Sequence, residues 1–145
     1  FVRKYGLISN YMMKKILFLT VMVLCSMITF AQTAEKSQAE IRFEKLTHDF
    51  GTFPDSSPKV TCVFNFTNVG TLPLVINQAI ASCGCTVPEY PKTPIKPGEK
   101  GQIKVTYNGA GKFPGHFKKS ITVRTNGAIE MTRLYVEGTM EEAKK

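Results

Sequence analysis

Tryptophan is absent from this sequence, and histidine occurs only twice, at His48 and His116. The first absence removes the buried tryptophan of antibody domains. The second leaves few imidazole ligands for a metal. No Gly-x-Ser-x-Gly, His-Glu-x-x-His or phosphate-cradling glycine loop occurs, so the usual motifs of hydrolases, zinc proteases and nucleotide binders are missing. Asp49, Asp55, Glu89 and Glu99 are scattered among turns and solvated faces. The lysines are scattered too, with no run of five basic residues and no basic helix, which argues against nucleic-acid binding. After residue 31 no helical period of useful length is found. What the chain does have is β-alternation, four cysteines and an apolar segment near its start.

That segment has the form of an export signal. Residues 1–11 read as upstream sequence, with Met12 or Met13 as the start, followed by Lys14 and Lys15. Ile16–Met27 is apolar apart from Thr20 and Ser26, and Thr29-Phe30-Ala31 is a small-x-small end. A basic region, an apolar core and small residues are the three parts of a secretory signal peptide. From Ile16 to Ala31 the stretch is shorter than the ~20 residues of a spanning helix, so no integral membrane span is expected in the mature chain. Cleavage is expected after Ala31. A lipoprotein signal at Cys25 fits less well, because Leu24 stands where a small residue belongs. Loss of Arg3, Lys4, Lys14 and Lys15 lowers the net charge from +8 to +4. Export, to the periplasm or cell surface, places Cys62, Cys83 and Cys85 in an oxidising compartment where disulfides persist.

Residues 32–40 are polar and aperiodic and read as a flexible leader. Residues 41–139 form the domain and 140–145 a charged tail. Ile41 and Phe43 alternate with polar neighbours. Val60, Cys62, Phe64 and Phe66 share one face of the clearest strand, and a slip of one residue would put two phenylalanines into water. Leu74, Ile76 and Ile80 are expected on one face of the next strand, with Gln78 as the exception. Pro88, Pro91, Pro94 and Pro97 confine the following stretch to an edge or crossover. Ile103, Val105 and Tyr107 alternate, as do Phe117, Ile121 and Val123, and then Leu134 and Val136. Asn126-Gly127 predicts a tight hairpin turn. Many short alternating strands with regular turn signals predict an all-β, immunoglobulin-like β-sandwich of about seven strands.

Four motifs fall in order: His48-Asp49-Phe50-Gly51; Phe64-x-Phe66-Thr67-Asn68-x-Gly70; Ser82-Cys83-Gly84-Cys85-Thr86-x-Pro88; and Ile95-x-Pro97-Gly98-Glu99. With them the chain resembles a bacterial domain-of-unknown-function family, the one numbered fifteen seventy-three. That family is similar to the immunoglobulin-like domains of Hydin and its ciliary and centrosomal relatives, and more distantly to major sperm protein. The resemblance implies a fold, export, and a scaffold or protein-binding role. It implies no reaction. Cys62 departs from the pattern and adds a third thiol to the mature chain.

The chemistry concentrates at Cys83-Gly84-Cys85. Redox dithiols usually show Cys-x-x-Cys at a helix start, and neither that spacing nor a helix is evident. A bridge between positions i and i+2 is feasible, since their Cα atoms can lie within about 7 Å. If Ile76 and Ile80 point inward, alternation turns Cys83 and Cys85 outward, which favours Cys83–Cys85 over a bridge to Cys62 and leaves Cys62 a core thiol. A metal alternative uses Cys83 and Cys85 with His48 and His116 as ligands for copper or zinc. Cys83, Gly84, Cys85 and Tyr90 are the candidate binding residues, and no catalytic residue or cofactor is assigned. The reading reached is an exported non-catalytic interaction module for another protein or a cell-envelope component. A thiol-redox or metal-binding protein is the alternative, and a glycan-binding module a weaker one. N-terminal sequencing of the exported protein is expected to begin at Gln32; a chain that begins at an acylated Cys25 would make it a lipoprotein.

Overall fold

The computed structural model describes residues 14–15 and 38–143. The chain divides into two units, Phe1–Glu35 and Lys36–Lys145. The expected signal segment lies outside the described residues apart from Lys14 and Lys15, which are helical and exposed. The second unit is all β: β1 (Ile41–Phe43), β2 (Thr47–Pro54), β3 (Lys59–Asn68), β4 (Ile76–Ala81), β5 (Thr86–Glu89), β6 (Lys100–Asn108), β7 (Gly115–Thr125) and β8 (Met131–Glu141). Two four-stranded sheets have the orders β1-β3-β6-β5 and β2-β8-β7-β4. All pairings are antiparallel except β2 with β8. This is the expected immunoglobulin-like sandwich with one strand more than expected. The first segment divides, because Glu44 still donates to Asn65 on β3 while Leu46 already accepts from Tyr135 on β8. β1 and β2 therefore belong to different sheets.

Alternation placed the core correctly. Phe64 and Phe66 of β3, Ile103 and Val105 of β6, Ile121 and Val123 of β7, and Leu134 and Val136 of β8 are all buried between the sheets. Burying such side chains stabilises by roughly 1.5–3 kcal/mol each. A second cluster of Phe53, Tyr107, Phe117 and Met140 closes one end of the sandwich. There the Tyr107 and Phe117 rings stack 3.8 Å apart.

Four expectations are corrected. Ile80 points outward and is 50% exposed, because a β-bulge lies between Ile76 and Gln78. One extra residue reverses the alternation, so Ala79 and Ala81 pack on the core instead. Asn126-Gly127 makes no two-residue hairpin: the link from Thr125 to Met131 is longer, and neither residue has the positive φ that such a turn needs. Asn126 instead accepts from the Val75 amide at 2.8 Å and donates to the Pro73 carbonyl at 3.1 Å. The end of the leader is fastened. Ala39 is buried, Gln38 accepts from Thr71, and Ala39 accepts from Ala128. A Cβ at Gly70 would collide with the Gln38 carbonyl, and one at Gly127 would lie 2.9 Å from that of Ala39, so both glycines make room for this segment. Finally, β8 runs to Glu141 with Met140 buried, so the last strand extends into the stretch expected to be tail.

The end opposite the aromatic cluster is held by Asn68, which the sequence pattern had placed in a turn. Its side chain is buried. The carboxamide oxygen accepts from Glu40 at 3.3 Å and Gly70 at 3.0 Å, and the nitrogen donates to the carbonyls of Leu72 at 2.8 Å and Ile95 at 2.9 Å. Its backbone donates to Glu99 and accepts from Gly98. Each buried group left without a partner costs about 1–3 kcal/mol. Asn68→Ala is therefore expected to lower unfolding free energy by about 2–4 kcal/mol, measured by denaturant titration. A loss below about 0.5 kcal/mol would mean that the network contributes no more than an ordinary surface contact.

Candidate functional site

The cysteine motif forms the passage between the sheets. β4 is an edge of one sheet and β5 an edge of the other, and the turn 82–85 carries the chain across. Ser82 donates its amide to the Ser120 carbonyl at 2.8 Å and accepts the Ser120 amide on its hydroxyl at 3.2 Å. At the far side Thr86 donates to the Cys83 carbonyl at 3.2 Å, and Asn108 to that of Cys85 at 2.8 Å. The turn is thus tied by backbone groups to both β7 and β6.

Cys83 and Cys85 are joined by a disulfide with Cα atoms 5.2 Å apart. The pairing expected from the sequence is present, but alternation does not cause it. Ile80 faces outward, and the strand ends at Ala81, so strand parity never reaches the cysteines. The tight turn brings them together. Both are half-buried, and Cys85 packs against the aromatic cluster. Where a Cβ on Gly84 would project there is nothing within 4 Å beyond the two cysteines themselves. Thr86, which sequence reasoning left without a role, is buried with its hydroxyl 3.6 Å from the Cys83 sulfur and 3.8 Å from that of Cys85.

Cys62 is a free thiol buried in the core. Its pKa is pushed up to about 11 by burial, with the Lys45 charge pulling weakly the other way. Tyr90 packs on the main core, and the Lys92 ammonium lies 3.4 Å from its ring centroid. In this structure the two sulfurs are bonded to each other, and thiolates are what bind metal, so with the bond closed Cys83 and Cys85 offer no ligand pair. Among the described residues no group of three or more His, Cys, Asp and Glu side chains could hold an ion. His48 accepts from Lys45 at 2.8 Å and meets the Phe50 ring edge-on. Its pKa is lowered by burial first and then by the Lys45 charge. His116 lies 3.5 Å from the Thr139 hydroxyl on the neighbouring strand.

The family model described as a protein of unknown function, DUF1573, matches residues 41–140. The chain belongs to that family. The match runs from the first strand of the sandwich to the buried Met140 of the last. Among curated proteins none matches the sequence. A solved protein of unknown function from Porphyromonas gingivalis W83 is similar with a TM-score of 0.61 and 15% identity, over 77% of this chain and 51% of that one. The chain therefore spans about half the length of that protein. The seventh PapD-like (ASH) domain of human CEP192 is similar with a TM-score of 0.56 and 13% identity, over 74% of this chain and 88% of that one. The periplasmic chaperone SfaE is similar with a TM-score of 0.50 and 9% identity, over 72% of this chain and 59% of that one. At these identities the likeness is one of fold. Among the described residues no helix is long and apolar enough to cross a membrane.

The raised pKa of Cys62 makes stability depend on alkaline pH. The folded chain holds this thiol protonated up to about 11, against 9.0 for an unperturbed thiol. The resulting stability is fully present below pH 9.0 and lost as pH rises through about 11. Denaturant unfolding across that range is expected to show a steeper loss for the wild type than for Cys62→Ala. Equal slopes would assign the alkaline loss to other groups.

Proposed function

We propose that this protein is an exported, non-catalytic interaction module that holds an extended segment of a partner protein along β4. The observation that carries the reading is the contrast among the four sheet edges. β1 has only three residues. β5 contains Pro88 among its four residues, and proline cannot donate to an added strand. β2 is irregular between Asp49 and Thr52, with Gly51 at φ 67°. Short length, proline and irregularity are the devices that blunt an edge against added strands. β4 carries six residues with no proline and no charge; it too bulges, between Ile76 and Gln78, but from Gln78 to Ala81 it is in regular register with β7.

Ile80 lies half-exposed on that edge. Beside it an open groove of about 710 Å³ is lined by Asn77, Gln78, Arg124, Glu130 and Met131. Such an edge offers main-chain hydrogen bonds to an incoming strand, and alternate side chains supply selectivity. A fold shared with PapD-like domains and a periplasmic chaperone supports a protein partner over a small-molecule substrate. Export is supported by Lys14-Lys15 ahead of the apolar Ile16–Met27, and by a disulfide that persists best in oxidising compartments.

A photo-crosslinking residue at position 80, in cells that export the protein, is expected to give a discrete adduct. The same residue at Val87 on blunted β5 is expected to give none. Equal labelling at both positions, or no adduct at 80, would move the partner surface away from β4.

A further inference from the structure

We propose that the Cys83–Cys85 disulfide is a thiol–disulfide exchange site that accepts two electrons from a partner dithiol, rather than a structural staple. The proposal rests on the cysteine turn alone and stands apart from the β4 edge.

The turn does not need the bond. Its backbone is tied on one side to Ser120 and on the other to Asn108, with Thr86 closing back on Cys83. Cysteines separated by two positions close so small a loop that cross-linking them removes little freedom from the unfolded chain, compared with a bridge spanning many residues. Reduction therefore leaves the crossover in place. The bond is also reachable, since both cysteines are only half-buried. Of the two sulfurs, that of Cys85 is the one packed on the Phe53, Tyr107, Phe117 and Met140 cluster. An attacking thiolate thus meets Cys83.

The exchange balances as follows. A partner thiolate bonds to the Cys83 sulfur, and the S–S electron pair leaves with Cys85 as a thiolate. The second partner thiol, as its thiolate, attacks the first partner sulfur of the mixed disulfide and releases Cys83 as a thiolate. The partner loses two electrons and two protons and becomes a disulfide. This chain gains both electrons and ends, once protonated, with two thiols. Exchange rates depend on how well the leaving thiolate is accommodated. The Thr86 hydroxyl, 3.6 Å and 3.8 Å from the two sulfurs, donates to whichever thiolate is present. Cys62 does not compete as a resolving thiol: it is buried, and burial holds its pKa at about 11, so it is protonated at neutral pH.

The test uses the exported chain beginning at Gln32, which lacks Cys25, purified without reductant, and dithiothreitol as the dithiol, followed by alkylation and intact mass. Under native conditions two alkyl groups per chain are expected on Cys83 and Cys85, with one dithiothreitol oxidised per chain and the thermal midpoint unchanged. Thr86→Val, which keeps the shape and removes the hydroxyl, is expected to slow reduction about tenfold. Cys62→Ala is expected to leave rate and stoichiometry as they are. The proposal is overturned if the bond resists reduction until the chain unfolds, if reduction lowers the thermal midpoint as loss of a staple would, or if Thr86→Val reacts at the wild-type rate.

Discussion

One carboxamide holds an end of this sandwich together. Asn68 uses both donors and both acceptor directions of its side chain, and its backbone bonds twice more. It joins the segment before β1, the turn after β3 and the long passage into β6. Leu74 and Ile95 pair through both of their backbone groups just beyond it, and both side chains are buried. A buried amide is tolerated there because it is fully satisfied. An apolar residue of similar size would take this partner from the Glu40 and Gly70 amides and the Leu72 carbonyl, and would leave the Ile95 carbonyl with the Leu74 amide alone.

The other end is built on a different principle. The side chains of Phe53, Tyr107, Phe117 and Met140 pack together there, and Cys85 of the crossover lies against that packing. The two ends therefore differ in what they tolerate. Opening the Cys83–Cys85 bond takes no hydrogen bond from the crossover, whereas removing Asn68 breaks contacts among several segments at once. A redox-active bond is compatible with a stable fold only where its neighbours already hold the chain, as they do here.

Two features follow one another along the chain at the sheet edges. β4 presents an edge that is regular from Gln78 to Ala81, and the turn that follows it carries the disulfide. They adjoin in sequence, so a segment lying along β4 would run toward Cys83. Under the two proposals made above, the edge that holds a partner segment adjoins the bond that exchanges with thiols.

Much of this was legible in the sequence. Alternation assigned the inward faces of β3, β6, β7 and β8, because the side-chain period of a strand is local and two phenylalanines in water would be costly. Proline marked β5 as an edge for an equally local reason: it lacks an amide donor. The cysteine spacing allowed the short bridge. Tertiary structure alone decided the rest. The bulge at Ile76 and Gln78 turned Ile80 outward, and nothing in the local pattern distinguishes a bulge from a regular strand. Asn68 reads as a turn residue until distant segments converge on it. Gly70 and Gly127 read as turn glycines, although their missing side chains admit the backbone of residues 38–39. Local chemistry determines which face of a strand is apolar; only the meeting of remote segments determines which polar groups and which glycines the core must have.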